Sequence, residues 1–426
     1  HTTLRLHDLR SAAVTAMREM QWPQTTDSNP SNLKIKVRQD VLKTLRLATL
    51  ALCRAHEPST IRGLQIWANS TFGALISDDA LLLQTGSGLY GSLGWMNGAV
   101  LQSQGHYERA ATYFSKLLQS EDSLTALGAD GVQFVIARTI ESYVAVADWE
   151  ALEIWLQELQ TLRAQHAGKS YAGALTTAGH DMNSIHAFAC FDAGDFPGAW
   201  AHLDLTPQSS GDLTPDPHLA LQRSEQMLLQ ALLHLQGDAT ENSVKEMEKA
   251  KSILEESLVV SGFDGITHAA PLLMHLHCIK AFEVNCSTAN IRERDSSSHL
   301  TMFKSLEQLD CLPLDAFHQD CGIWLKLMRI YKAIMPHFKV STQLQWHMIR
   351  LARKQQNFRL CHRLLNRLCN AVNLDSNSGT GYVSGEEFSP FHYEFMLLQY
   401  AEGNSQEAII GLWNLVQGFI TSSKWP

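Results

Sequence analysis

The stretch Gly105-His106-Tyr107-Glu108-Arg109-Ala110 is the clearest signal for the fold of this chain. It opens with a glycine, which readily takes the left-handed conformation that ends one helix and reverses the chain. The aromatic residue two positions on can fill the wedge between two helices, and the alanine three positions further lets the two backbones approach. Apolar residues at helical spacing stand on both sides, from Leu93 to Val100 and from Tyr113 to Leu117. The stretch therefore predicts two antiparallel helices joined by a tight turn.

The same pattern returns along the chain. One full copy is Gly194-x-Phe196-x-x-Ala199, and looser copies are Gln356-x-Phe358-x-x-Cys361 and Gly403-x-Ser405-x-x-Ala408. Ala147-x-Trp149-x-Ala151 is one residue short, and a weak copy turns at Gly237. The slots at 107, 149, 196, 239, 358 and 405 are 42, 47, 43, 119 and 47 residues apart. A period of roughly 40–47 exceeds the ~34 of a tetratricopeptide repeat and matches longer helical-hairpin repeats. We predict an all-α fold, an α-solenoid of antiparallel helix pairs of the TPR/HEAT-like type.

The composition indicates a large, well-buried chain without a membrane segment. Of 426 residues, 45% are hydrophobic and only 18% are charged, below the ~25% that is typical of soluble domains. The chain shows no signal peptide and no apolar run of ~20 residues, so we expect no membrane span and no membrane partner. Eight scattered cysteines form no CxxC pair, which argues against a disulfide framework. Because the first residue is His1 rather than Met, we expect an internal piece of a larger cytoplasmic, or also nuclear, protein.

The charge distribution singles out one block. The net charge is -9, yet residues 321–374 contain ten Lys and Arg residues and no Asp or Glu. Six of these cations flank a predicted turn at 355–357, namely Arg350, Arg353, Lys354, Arg359, Arg363 and Arg367. Converging cations on two helices suit a polyphosphate or an acidic protein surface. The alternative is a solvated face that offsets the acidic remainder of the chain. Direct nucleic-acid binding is disfavoured, because no exposed aromatic interleaving or recognition motif accompanies the charge.

The other motifs in the sequence do not indicate a binding or catalytic site. Residues 86–91 spell GxGxxG, but no βαβ unit surrounds them, so a glycine-rich loop between helices is the better interpretation. His275, His277 and Cys278 point in different directions on a helix and make a poor metal site. No HRD or DFG kinase motif, Walker loop, HExxH or GxSxG elbow is present. We predict no catalytic residue and no metal site in this chain.

One hairpin resembles a known family. Leu351-Ala352-Arg353-Lys354-Gln355-Gln356-Asn357 is similar to the ARK-x-GN hairpin of FAT domains in PIK-related protein kinases, with Gln356 at the usual glycine and Cys361 at the usual alanine. Five further stretches resemble the PIK-related serine/threonine kinases of nonsense-mediated mRNA decay in their plant form. These are residues 1–10, 45–56, 130–142, 159–177 and 219–230.

The resemblance implies a FAT-type solenoid over residues 86–426, preceded or opened by a helical region at 1–85, with the kinase domain absent. It implies a non-catalytic scaffold that supports the kinase domain of the same parent chain and docks proteins of the mRNA surveillance complex. The family's kinase phosphorylates an RNA helicase, and ATP and Mg belong to that absent domain.

FAT domains of related kinases also hold inositol hexakisphosphate in a basic pocket, for which the six cations are the candidates. The alternative function is a free-standing helical-repeat adaptor that binds acidic partners or inositol polyphosphate.

Overall fold

A computed structural model describes residues 30–76, 93–178, 180–205, 217–237, 239–261, 320–334, 340–371 and 390–421, and a few residues between 272 and 283. Over these ranges the regular structure is helical and no residue lies in a strand, which confirms the all-α prediction. The helices are α1 Pro30–Arg54, α2 Pro58–Ile76, α3 Trp95–Ser103, α4 Tyr107–Gln119, α5 Glu121–Ala145, α6 Trp149–Gln165, α7 Met182–Ala193, α8 Phe196–Asp204, α9 Pro217–Gln236, α10 Thr240–Ser261, α11 Cys321–Ile334, α12 Val340–Lys354, α13 Phe358–Ala371, α14 Pro390–Glu402 and α15 Ser405–Thr421, with a short 3₁₀ turn at Ala172–Ala174.

Consecutive helices form antiparallel pairs. Turns of two or three residues join α1 to α2, α3 to α4, α5 to α6, α7 to α8, α9 to α10, α12 to α13, and α14 to α15. Connections this short are typical of antiparallel helices that pack against each other. The fold class is therefore the predicted α-solenoid of antiparallel helix pairs.

The turns owe their shape to one residue in the left-handed conformation. Gly105, Gly194 and Gly403 have φ of 78°, 87° and 103°, and the predicted turn residues Ala147 and Gln356 reach 50° and 54° without being glycine. The N–H of the next residue can then donate to a carbonyl five residues back, a bond of 2.9 Å after Gly105 and 2.8 Å after Gln356. This bond satisfies a carbonyl that the end of the first helix leaves unpaired. The repeat pattern thus located these five turns correctly.

Two turns differ from the sequence prediction. His56 has φ of 53° and closes the α1–α2 pair, although Pro58 and Ile61 stand where the pattern expects an aromatic and a small residue. At the weak copy, the N–H of Ala239 donates to the carbonyl of His234 at 2.9 Å, and α10 begins at Thr240. That turn therefore lies one residue later than a turn centred on Gly237.

The small-residue slot is the most constant feature of the packing between paired helices. Ala110, Ala199, Cys361 and Ala408 are fully buried, with 0% exposure. In the short copy the fifth residue after the turn is Leu152, which is buried, rather than Ala151. The aromatic slot is buried only at Tyr107, whereas Phe196 and Phe358 are half-buried. That slot is the first residue of the second helix, so it lies at the edge of the pair and not in the wedge.

One pair shows how close the backbones come. A Cβ added to Gly98 of α3 would overlap the ring of Phe114 of α4, which is fully buried. The surrounding core of the same part of the chain contains large apolar side chains, including Met96, Leu117, Leu118, Leu124 and Ile136. A glycine at position 98 is thus required by packing, not by backbone conformation.

The chain divides into two compact units, His1–Val144 with Trp149–Glu283, and Ala145–Asp148 with Val284–Pro426. The first contains the pairs from α1–α2 to α9–α10 apart from residues Ala145–Asp148, and the second contains those four residues, α11 and the pairs α12–α13 and α14–α15. The predicted boundary at 85/86 lies in 77–92, outside the described residues, and stays a prediction.

Gly194→Ala should test the left-handed turns, because a Cβ at position 194 would meet no heavy atom within 4 Å. We expect the free energy of unfolding of the first unit to fall by about 1 kcal/mol, from backbone strain alone. Ala147→Gly makes the opposite change at the matching position of another turn and should raise stability by up to about 1 kcal/mol. Urea unfolding followed by circular dichroism measures both. Shifts of the same sign would contradict the role of the left-handed residue.

Candidate functional site

The six candidate cations lie on the α12–α13 pair, residues 340–371, which we call the basic hairpin. Arg350, Arg353 and Lys354 occupy the last two turns of α12, and the other three follow on α13. The pair folds tightly because Gln356 is left-handed and the closing slot, Cys361, is fully buried. Arg350, Arg353, Lys354 and Arg359 lie within about two helical turns of residues 355–357, whereas Arg363 and Arg367 follow further along α13. Their joint action as an anion site stays a prediction.

Glu394 of α14 binds two of these cations. Its side chain is only 3% exposed. Arg350 Nε donates to Glu394 Oε1 at 2.7 Å, and Arg353 Nη2 donates to Oε2 at 3.3 Å. Each carboxylate oxygen thus has a guanidinium donor, as a buried carboxylate requires. The Arg350 side chain is 56% exposed and that of Arg353 only 20%, so solvent screens the Arg350 pair more.

Two arginines of α13 bind the segment Ala145–Asp148, which belongs to the same unit. Arg363 donates through Nη2 to the carbonyl of Val146 at 2.7 Å and through Nη1 to that of Ala147. Arg359 Nη1 lies 3.2 Å from Asp148 Oδ2, an ion pair without hydrogen-bond geometry. The carbonyls of a tight turn have no helical partner, so the Arg363 guanidinium satisfies groups that would otherwise be unpaired.

Lys354 and Arg367 are exposed, as Arg350 and Arg359 are. Unlike those two arginines, they form no ion pair with an acidic residue in the described part of the chain. A ligand could therefore bind these two cations without displacing a described carboxylate.

The acidic and carbonyl partners were not foreseen from the sequence. The sequence interpretation took the block as cations without acidic partners, because residues 321–374 hold no Asp or Glu. In the fold, Glu394 and Asp148 reach the block from outside it, and Glu402 lies 2.7 Å from His362 Nε2. The acidic partners on α14 lie 40 to 44 residues from their cations in the sequence, and the partners at 145–148 lie more than 200 residues away. No local sequence signal connects them.

The remaining motifs show no further site in the described residues. GxGxxG at 86–91, His277 and Cys278 lie outside them, and His275 is buried 3.8 Å from Glu225. No group of three or more His, Cys, Asp or Glu in that part of the chain is arranged to hold a metal ion. Burial raises the pKa of Cys53 to about 12, which keeps this thiol protonated and unreactive. None of the described helices is long and apolar enough to cross a membrane.

Replacing Arg350 and Arg353 together by Ala should leave the Glu394 carboxylate buried without a cation. We expect the free energy of unfolding of the second unit to fall by about 3–5 kcal/mol. Adding Glu394→Leu should recover most of that loss, because the buried charge is then gone. Chemical denaturation of the three proteins measures the coupling.

The matched control is Lys354→Ala on the same helix, which should change stability by less than about 0.5 kcal/mol. If Glu394→Leu recovers nothing in the double-alanine variant, the ion pairs do not determine the stability of this unit.

Comparison with known proteins finds a kinase that is similar to most of this chain. No protein-family model matches it. Serine/threonine-protein kinase SMG1 of Danio rerio is 23% identical over 471 aligned residues, which cover 88% of this chain and 12% of that protein. The chain thus spans about an eighth of the length of the relative it matches. This all-helical chain is therefore similar to a segment of an SMG1 kinase.

Proposed function

We propose that this chain is a non-catalytic, FAT-type helical scaffold of a PIK-related serine/threonine kinase that acts in nonsense-mediated mRNA decay in the cytoplasm. The similarity to SMG1 over 88% of the chain carries the proposal, and the array of antiparallel helix pairs supports it. In this role the solenoid supports the kinase domain of the same parent polypeptide. Its surfaces dock protein partners of the mRNA surveillance complex.

The arrangement of helix pairs suits a scaffold. Each pair of a helical array packs on its neighbours and leaves long surfaces free for partners. In the second unit, the contacts of Glu394 with Arg350 and Arg353 tie α14 to α12, and Arg363 holds the backbone of Val146 and Ala147. The contacts of Glu394 join parts of the sequence about 40 residues apart and therefore hold the α14–α15 pair against the α12–α13 pair within the second unit.

Binding of this chain to the kinase domain of the parent polypeptide should test the scaffold. We expect the tagged chain to bind the separately expressed kinase domain in a 1:1 complex, measured by light scattering after size-exclusion chromatography. The purified chain alone should transfer no phosphate from radiolabelled ATP. An unrelated kinase domain is the control and should not bind.

Phosphate transfer by the isolated chain would contradict the scaffold role, and so would the lack of a complex. Binding of acidic proteins without binding of the kinase domain would favour the free-standing adaptor instead.

A second candidate function is binding of inositol hexakisphosphate by Arg350, Arg353, Lys354, Arg359, Arg363 and Arg367. The exposure of Lys354 and Arg367 favours it, together with that of the Arg350 side chain, which lies one helical turn before Lys354. A polyphosphate gains most from several exposed cations at once. It would have to compete with Glu394 for Arg350 and with Asp148 for Arg359. We therefore expect Lys354 and Arg367 to contribute most to binding.

Lys354→Ala combined with Arg367→Ala should weaken inositol hexakisphosphate binding at least ~10-fold in calorimetry, which corresponds to about 1.4 kcal/mol. The stability of the chain should not change, because neither side chain is part of the ion pairs described above. Lys245→Ala with Lys249→Ala on α10 removes the same charge elsewhere and should leave the affinity unchanged. Equal affinities of the Lys354/Arg367 variant and the unmodified chain would contradict this site.

A further inference from the structure

Helix α15 carries five large exposed apolar side chains. Ile409, Trp413, Val416 and Ile420 are 57%, 60%, 48% and 59% exposed, and Ile410, about 100° further round the helix than Ile409, is 61% exposed. Among the α15 side chains that the structure describes, only Ala408 is buried. A soluble helix ordinarily buries its apolar face against a neighbour, so α15 presents apolar surface well beyond what its pairing with α14 uses. We call Ile409, Trp413, Val416 and Ile420 the α15 stripe.

The α15 stripe forms a single narrow face. At about 100° of rotation per residue, the four positions lie within roughly 60° of one another around the helix axis. Glu407, in the first turn of α15, is the one charged residue of this helix, and it precedes the stripe. The stripe can thus be buried without removing a charge from water, which favours an apolar partner.

The spacing of the α15 stripe is the same in both directions. The steps from Ile409 to Trp413, Val416 and Ile420 are 4, 3 and 4 residues, so a reversed copy of the helix presents the same steps. In an antiparallel pair of α15 helices, Ile409 lies opposite Ile420 of the second copy. Trp413 then lies opposite Val416 of the second copy, so the largest side chain meets the smallest at both central contacts. We propose that the α15 stripe joins two copies of this chain through an antiparallel, two-fold symmetric α15–α15 contact.

The position of Glu407 and the exposed area of the α15 stripe agree with a second copy of the chain as the partner. In the antiparallel arrangement the two Glu407 side chains lie at opposite ends of the contact, whereas a parallel arrangement would bring these like charges together. The four side chains expose on the order of 500 Å² per copy, which is near the lower end for specific association and predicts a weak dimer. A two-fold contact uses the same surface on both copies, so the assembly closes at two chains. The inference is independent of the proposed scaffold function.

Sedimentation velocity of this chain between about 1 and 100 μM should test the contact. We expect a reversible monomer–dimer equilibrium with a dissociation constant on the order of 10 μM. Trp413→Glu should raise that constant at least ~100-fold, because it places a charge at the centre of the contact. Ile154→Glu is the matched control, since Ile154 is an equally exposed apolar residue on α6, and it should dimerise like the unmodified chain.

A mixing experiment tests the antiparallel register. Trp413→Glu and Val416→Lys should each be monomeric alone, and circular dichroism should show both folded because the residues are exposed. Mixed in equal amounts they should form a heterodimer. In it the introduced carboxylate of one variant faces the introduced ammonium of the other, while the second central contact keeps its original Trp413 and Val416.

Three results would overturn the proposal. A chain that stays monomeric at 100 μM would show that the α15 stripe does not join two copies. A dimer that survives Trp413→Glu would place the contact elsewhere. Two monomeric variants that do not combine would exclude the antiparallel register.

Discussion

A hydrogen bond that runs five residues backwards across the tight turns sets the geometry of the helix pairs. The residue after the turn can donate to a carbonyl of the preceding helix only if the turn residue itself has positive φ. The chain then reverses at once, and the fifth residue after the turn faces the first helix. This is why Ala110, Ala199 and Ala408 are fully buried. A larger side chain there would push the two axes apart, as it would at Gly98 against Phe114.

Three turns adopt this conformation without glycine, at a strain of roughly 1–2 kcal/mol each, and each is held by a contact from elsewhere in the chain. The ring Nδ1 of His56 lies 3.2 Å from the carbonyl of Ser103. The carbonyl of Ala147 accepts a bond from Arg363. Beside Gln356, the side chain of Gln355 accepts from the backbone of Cys321 at 3.4 Å. Long-range hydrogen bonds therefore offset local strain at these turns.

The difference between local turn residues and long-range hydrogen bonds explains how much of the fold and of the site the sequence predicts. A turn is specified by residues within about ten positions, so glycine spacing located the pairs at Gly105, Gly194 and Gly403. The turn at His56 was not predicted, because its strain is offset by a contact with Ser103, 47 residues away. The site follows the same rule. Position along two helices predicts that the cations meet, whereas their carboxylate and carbonyl partners depend on how α14 and residues 145–148 pack.

The long-range partners also change the interpretation of the basic residues at 321–374. Ten cations without an acidic neighbour in the sequence suggest a strongly positive surface. In the fold, Glu394 neutralises charge at Arg350 and Arg353, Asp148 does so at Arg359, and Arg363 is engaged by two carbonyl oxygens. Guanidinium groups suit this task because they keep their charge and present several donors in one plane. At least four of the ten cations therefore hold contacts within the second unit, and ligand binding has to be sought at the side chains that solvent still reaches.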